Sequence, residues 1–567
     1  MASSLDLTQP VDGAVVVVSG HGAPKPLYAF AAAVRSFEEA KSRLGARHRL
    51  TPAGNGGFDV HGIGRAEIEP GGTDDEEDDE LTCVLAHAAS MSPAAGARLV
   101  CGEPAALEAL TPYLTRSLPR QSFPADVHAE LRFAPIRKPV ADLRMQLPIL
   151  ARGLLNTQSS AVRDFVEAAV GELADIVSDT NKISIDATVA DAGFETTMRA
   201  EYGSANSIVA QLATTGVDRA GPAPASFFHV PQESDLAFFG HGSDPKLWER
   251  PRTLLGNLLV ETFTEGGMPE AERTKIEELV TRRMLPLFTG PAVYASGHDA
   301  QALERAFAAR KAVRAGDAAA AAEADRLLGE QVVGFHLFQV KEPIANVGPI
   351  LKDWSALFAR PGFVAWTKKQ KMQKSAARLR VAPLPSAVVL PKETVHLEIT
   401  IPREEDGAAA KPSGSGRPGG ADATKKITKK PLVAHVFAVP DAGTTWLAFG
   451  LDGVLVAKKA AVALSSGPQT GTLGSAAADL GVIRDATKIN GAATLSLRGL
   501  LALTAFERAH SPYEKMSALP NQGASPIVLT FAAEPPASGG PGALARGTLR
   551  IPRGTIEDVI RIAMTPR

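Results

Sequence analysis

Over roughly the first 135 residues, short apolar runs separated by Gly, Pro, Ser and Asn turns predict strands. The runs are "AVVVVSG" from Ala14, "LYAFAAAV" from Leu27, "FDVHGIG" from Phe58, "CVLA" from Cys83, "RLVC" from Arg98 and "VHAELRFAPI" from Val127. Two interruptions have a helical period, "SFEEAKSRLG" and "PAALEALTPYL". Ser36 and Glu39 make a capping box for the first, and Gly45 stands where a C-terminal cap belongs. The order βαββ…αβ predicts a ferredoxin-like antiparallel sheet with its helices on one face over residues 11–138.

From about residue 140 the period lengthens. Val162, Phe165, Val166, Ala169, Val170, Leu173, Ile176 and Val177 fall at helical spacing, which predicts a core-facing helix. "ISIDATV" and "FETTMRAEY" flank "ADAG" and predict a hairpin with Ile183, Ile185, Ala187 and Val189 on one face. Residues 244–370 then read as mainly helical, broken by strands at "AVYASG" and "VVGFHLFQV". Residues 403–431 carry Gly, Pro, Ser and charge with no apolar periodicity, the composition of a linker or loop. A last unit opens with "LVAHVFAVP" and "TTWLAFG" and ends with "TLRIP" and a helix capped by Thr555. The expected fold class is therefore α+β, in modules of antiparallel sheet and packed helices: 11–138, a helix-rich 139–402, the linker 403–431, and 432–567. "FHVPQESDLAFFGHGSDPKLW" and "FAVPDAGTTWLAFGLDG" echo each other as strand, Val-Pro, turn, Leu-Ala-Phe strand and Gly turn, which raises an internal duplication.

Composition narrows the function classes. Of 567 residues 45% are hydrophobic and 22% charged, with a formal net charge of -2, so no bulk electrostatic attraction to nucleic acid exists. Aromatics are 5% of the chain, too few to line a long glycan or base platform. No run of about 18 apolar residues predicts a transmembrane segment. The seven carboxylates "DDEEDDE" at 74–80 match no calcium loop and read as a solvated turn. The Lys run "KKQKMQK" at 368–374 reads as a basic helix face. HExxH, GxxxxGK[ST], GxSxG and a strand-borne GxGxxG are all missing, and no cofactor is expected.

Two constellations hold candidate chemistry. Cys83 and Cys101 flank a turn, "SMSPAAG"; if the hairpin is symmetric, Val84 meets Val100, Leu85 meets Leu99 and the cysteines face each other, as a disulfide needs. Two reduced, buried thiols, or a metal site sharing His87, are the other readings of that pair. His21, His241 and His298 each sit in a Gly turn, with Asp244 and Asp299 nearby. They could serve as acid–base groups or metal ligands. The two aspartates equally suit helix caps.

The runs "LTQPVDGAVVVV…PLYAFAAAVRSFEEAKSRLG", "ARLVCGEPAALEALTPYLTRSLP…DVHAELRF" and "ASFFHVPQESDLAFFGHG" resemble a group of large, Ala-rich, uncharacterised exported or lipid-anchored proteins of Gram-negative bacteria. The resemblance implies a repeated α+β architecture and a periplasmic or envelope location, and assigns no catalytic residue. "MASSLDLTQPVDG" has neither the basic nor the apolar part of a secretory leader, so the leader of an exported form is absent from this chain; a cytoplasmic location is the alternative. The expected function is a non-enzymatic envelope protein that binds or scaffolds other macromolecules. The alternatives are a hydrolase using His and Asp of the Gly turns, and a carrier of an apolar ligand. Expected partners are accordingly a protein or an apolar ligand.

Overall fold

Strands that are apolar on both faces need cover on both, and this holds for the two central strands of the first sheet. In a computed structural model, β1 (Val11–Val18), β2 (Lys25–Ala33), β3 (Arg49–Pro52), β4 (Phe58–His61), β5 (Thr82–His87) and β6 (Ala97–Gly102) form a sheet of order β1-β2-β6-β5-β4-β3, antiparallel throughout. Residues 83–86 and 97–100 are all buried. The helix Pro104–Pro112 packs with Val84 and Val100 on one face, and the helix Phe37–Gly45 with Cys83, Leu85 and Leu99 on the other. This corrects the ferredoxin-like expectation: the helices lie on opposite faces. The place of a closing strand beside β2 is taken by β1, because Val127–Arg132 pairs elsewhere. Ser36 caps the first helix as expected, accepting from the Glu39 amide at 3.3 Å.

The structure describes residues 5–6, 8–18, 25–53, 57–61, 82–88, 96–123, 125–154, 159–264, 267–288, 290–314, 317–369, 378–401, 431–467, 470–475, 480–503, 516, 518–536 and 542–564. The acidic run at 74–80, residues 403–430 of the expected linker and residues 370–374 of the Lys run lie outside them. The chain divides into two compact units, Met1–Asp126 with Ala134–Leu143, and Val127–Phe133 with Arg144–Arg567.

The second unit is built on β7 (Val127–Arg132), β8 (Thr180–Ala190), β9 (Gly193–Tyr202), β10 (Ser234–Gly240), β11 (Ala292–Gly297), β12 (Phe335–Val340), β13 (Arg378–Val381), β14 (Val395–Ile401), β15 (Leu432–Asp441), β16 (Thr444–Gly450), β17 (Gly491–Ser496), β18 (Pro526–Glu534) and β19 (Ala543–Pro552). They form one antiparallel sheet of 13 strands, in the order β13-β14-β15-β16-β12-β11-β10-β17-β18-β19-β9-β8-β7. Strands on either side of the 403–431 segment, read from sequence as separate modules, therefore alternate within one sheet. The two sheets with their packed helices make the protein α+β. Among the described residues no helix is long and apolar enough to cross a membrane.

The faces of the large sheet differ. Ala237, Phe239, Ala295, Phe335, Leu337, Phe437, Trp446 and Ala448 point to one face and form the main core with the helices Ala225–His229 and Gly453–Ala463. Burying one such aromatic ring contributes about 2–3 kcal/mol. Toward β7 the same face turns polar: Arg550 bonds Glu195 at 2.5 Å, His128 bonds Asp186 at 2.7 Å, and Lys182 lies 3.4 Å from Glu130. The other face carries Leu397, Val436 and Phe338 under the helix Ile344–Ala359, and beyond that helix it is partly open.

Some local expectations need revision. The stripe on the helix Ser160–Asp179 is not core-facing along its length: Phe165, Ala169 and Leu173 are exposed, and the buried positions are Ala161, Ala174 and Asp179. Thr555 is no cap; the last helix starts at Arg553, and the Thr555 hydroxyl donates to the Ser525 carbonyl at 2.9 Å. The two echoing segments share only their second half, since "FFH" is helical while "FAVP" belongs to β15.

Candidate functional site

The Gly-turn histidines are placed as follows. His21 lies outside the described residues. His241 follows the last residue of β10 and His298 the last of β11; in this antiparallel pair Gly240 faces Ala292 and Ser234 faces Gly297. The two histidines thus sit at opposite ends of a ladder about 20 Å long, at roughly 3.3 Å per residue. That separation denies them a shared substrate. Asp244 and Asp299 are caps: Asp244 accepts from the Lys246 amide at 3.0 Å, Asp299 from the Ala302 amide at 2.9 Å.

His298 belongs to a buried polar network that sequence reading missed. Its Nδ1 lies 2.6 Å from Asp235, whose carboxylate also accepts from the Ser496 hydroxyl at 2.7 Å and Arg498 Nε at 3.2 Å. Burial alone pushes the Asp235 carboxyl up, but the His298 hydrogen bond, the charges of His298 and Arg498, and Ser496 together hold it below the usual aspartate range. The available signal was Asp235 itself, a charged residue in register with the core-facing Ala237 and Phe239. The cluster ties β10, β11 and β17 together.

A different region has the features of a contact surface. Phe238, Tyr294, His336 and Phe449 run side by side across β10, β11, β12 and β16 on the open face: Phe238 to Tyr294 is 5.2 Å between centroids, and His336 stacks on Phe449 at 4.4 Å and 3°. Tyr294 Oη and His336 Nδ1 are 2.7 Å apart, which fixes both rings. Burial, opposed by a backbone hydrogen bond at Val333, holds His336 below the ordinary histidine value. The ribbon is nonetheless partly wet, with Phe238 37% and Phe449 42% exposed. On the same face Phe531 of β18, Met198 of β9 and Ile185 of β8 are 46%, 47% and 42% exposed, and Val127 of β7 is exposed further. Of the hairpin face expected for Ile183, Ile185, Ala187 and Val189, Ile185 and Val189 are exposed on this surface, while Ala187 is buried and Ile183 packs with Ala210 and Ala213 of the helix Ile208–Gly216. Exposed apolar side chains running across most of one sheet face are uncommon on a surface without a contact role.

In the other unit, Cys83 pairs with Cys101 across β5 and β6 in the expected register, with the sulfurs 2.01 Å apart in a disulfide. His87 stacks on Phe37 at 3.9 Å and takes no part in it. A cleft of about 340 Å³ in the large unit is lined by Phe228, His229, Thr472, Ser475 and Arg484, a mixture that suits a small polar ligand better than an acyl chain. A group with metal-ligating capacity, His396, Glu398 and His435, lies on β14 and β15. Sequence spacing gave no sign of it, because the partners are 39 positions apart. No protein-family model matches this sequence, and neither curated proteins nor solved structures yield a similar chain.

Proposed function

We propose that this chain is a non-enzymatic binding protein of the cell envelope that scaffolds a protein partner on the open face of its thirteen-stranded sheet. The observation that carries the reading is the exposed row Phe238, Phe449, Phe531, Met198 and Ile185 on one face. Aromatic and Met side chains are what protein interfaces enrich, and a formal charge of -2 favours neither nucleic acid nor an anionic membrane. The envelope location draws on the disulfide and on the resemblance to exported or lipid-anchored proteins.

The test is site-specific photo-crosslinking in the native cell from position 238 or 449, repeated with Met198→Glu and Phe531→Glu together. One discrete protein adduct, lost in the charged variant while its thermal unfolding is unchanged, is the expected result. A smear of unrelated adducts, or an adduct that survives the charged variant, refutes the docking face. An adduct of twice the chain mass would make the partner a second copy, which light scattering would then have to show.

A further inference from the structure

β14 and β15 bring three ligand-bearing side chains to one spot. His396 and Glu398 are two residues apart on β14 and so point to the same face, and His435 is the register partner of Glu398. One ligand atom from each lies within 4.8 Å of the others. His396 is buried and held from two directions, with Nδ1 2.7 Å from the Pro383 carbonyl and its ring stacked on Phe437 at 4.1 Å and 7°. A carbonyl only accepts, so Nδ1 bears the proton and Nε2 of the neutral ring presents a lone pair. This is the backbone tether that metal-bound histidines commonly use for their second nitrogen.

That lone pair points at His435 Nδ1, 3.1 Å away. Two ring nitrogens this close share either a proton or a cation. Tetrahedral zinc with Zn–N bonds of 2.0–2.1 Å sets its nitrogens about 3.3 Å apart, close to the spacing present. Glu398, directly across from His435, adds an oxygen donor that a shared proton would not use, and Arg380 orients its carboxylate with bonds of 2.9 and 2.6 Å to Oε2. Gly453 leaves the room required, since a Cβ there would come 2.8 Å from His435 Nδ1. We propose that His396, Glu398 and His435 bind a divalent transition-metal ion of the zinc class, three protein ligands with a fourth position open, clamping β14 to β15. The inference is independent of the docking face, which lies on the opposite side of the sheet.

The experiment titrates the chelator-stripped full chain with Zn²⁺ alone, then with Co²⁺ as a spectroscopic probe. Expected are one equivalent of zinc with Kd below about 10 µM, visible Co²⁺ bands of four-coordinate intensity, and a rise in Tm on metal addition. His435→Ala and Glu398→Gln should each weaken binding at least about tenfold, while His241→Ala, remote from the cluster, leaves it unchanged. Glu398→Gln keeps the test decisive if the histidine variant does not fold. No saturable zinc uptake, or uptake indifferent to both His435→Ala and Glu398→Gln, overturns the site.

Discussion

Removing the Cys83–Cys101 bond tests both the energetics of the first unit and the compartment proposed for the protein. The bond joins residues 18 apart in sequence, a loop whose closure entropy contributes about 3 kcal/mol. Cys83 is buried with Val60, Leu85 and Leu99, so a reduced thiol stays in apolar surroundings as a small hydrophobe and adds little to the loss. For a unit of this size, about 3 kcal/mol corresponds to a fall in Tm of roughly 10–15 °C. Calorimetry with and without reductant reads this directly, and the shift should fall on the transition of the six-stranded unit, leaving that of the thirteen-stranded unit in place. Intact mass after denaturing alkylation supplies the chemical control: no alkyl group adds before reduction and two add after it. A transition that ignores reductant, or two groups added without reduction to protein from its native compartment, would refute the loop-closure reasoning and remove the disulfide's support for an oxidising location.

Other perturbations have equally definite outcomes. Asp179 is fully buried and accepts from the Ser204 hydroxyl at 2.6 Å, the Asn206 and Ser207 amides at 2.8 and 2.6 Å, and Asn206 Nδ2 at 2.8 Å. Asp179→Ala strands these donors and should cost about 3–5 kcal/mol by denaturant unfolding; a loss under about 1 kcal/mol would mean the turn rearranges to satisfy them. Despite burial, the hydrogen bonds at Asp179 and Asp235 hold both carboxyls below the usual value, so their stabilisation is present above about pH 4 and lost as pH falls through the lower folded values. Acid unfolding of Asp235→Asn should therefore be flatter in that range than wild type. His336 and His435, held down chiefly by burial, add stability that is full above about pH 6.5 and lost as pH falls toward their folded values; His336→Phe should reduce that slope, and an unchanged slope would exclude His336 as a source. On the open face, Phe449→Ser should move Tm by no more than a few degrees, because the side chain is already 42% exposed.

What could be read from the sequence was local. The register of β5 on β6 followed from the symmetry of one turn, the cap at Ser36 from a four-residue motif, and the hairpin of β8 and β9 from alternation around "ADAG". Periodicity reports which side chains share a face, and it is silent on which strand lies alongside. Hence β7 was assigned to the wrong sheet, and the insertion of β15 and β16 between β14 and β12 had no sequence signal. The same blindness hid the candidate sites. The His396 and His435 contact is made by pairing across a long intervening segment, and the aromatic ribbon collects single residues from four strands that individually read as ordinary core positions.

The position of β19 beside β9 constrains the order of events during synthesis. Thr197 and Thr548, 351 residues apart, meet across that ladder. At about 5–20 residues per second, the edge of β9 waits roughly 20–70 s for its partner. An unpaired strand edge left open so long invites pairing with other chains. β9 carries Glu195, Arg199 and Glu201 along one face, and Arg199 is bonded to Asp186 on the neighbouring β8, a pairing available before β19 exists. Charges along a strand edge disfavour its pairing with another chain, and this placement would guard the hairpin until the C-terminal strands emerge to complete the sheet.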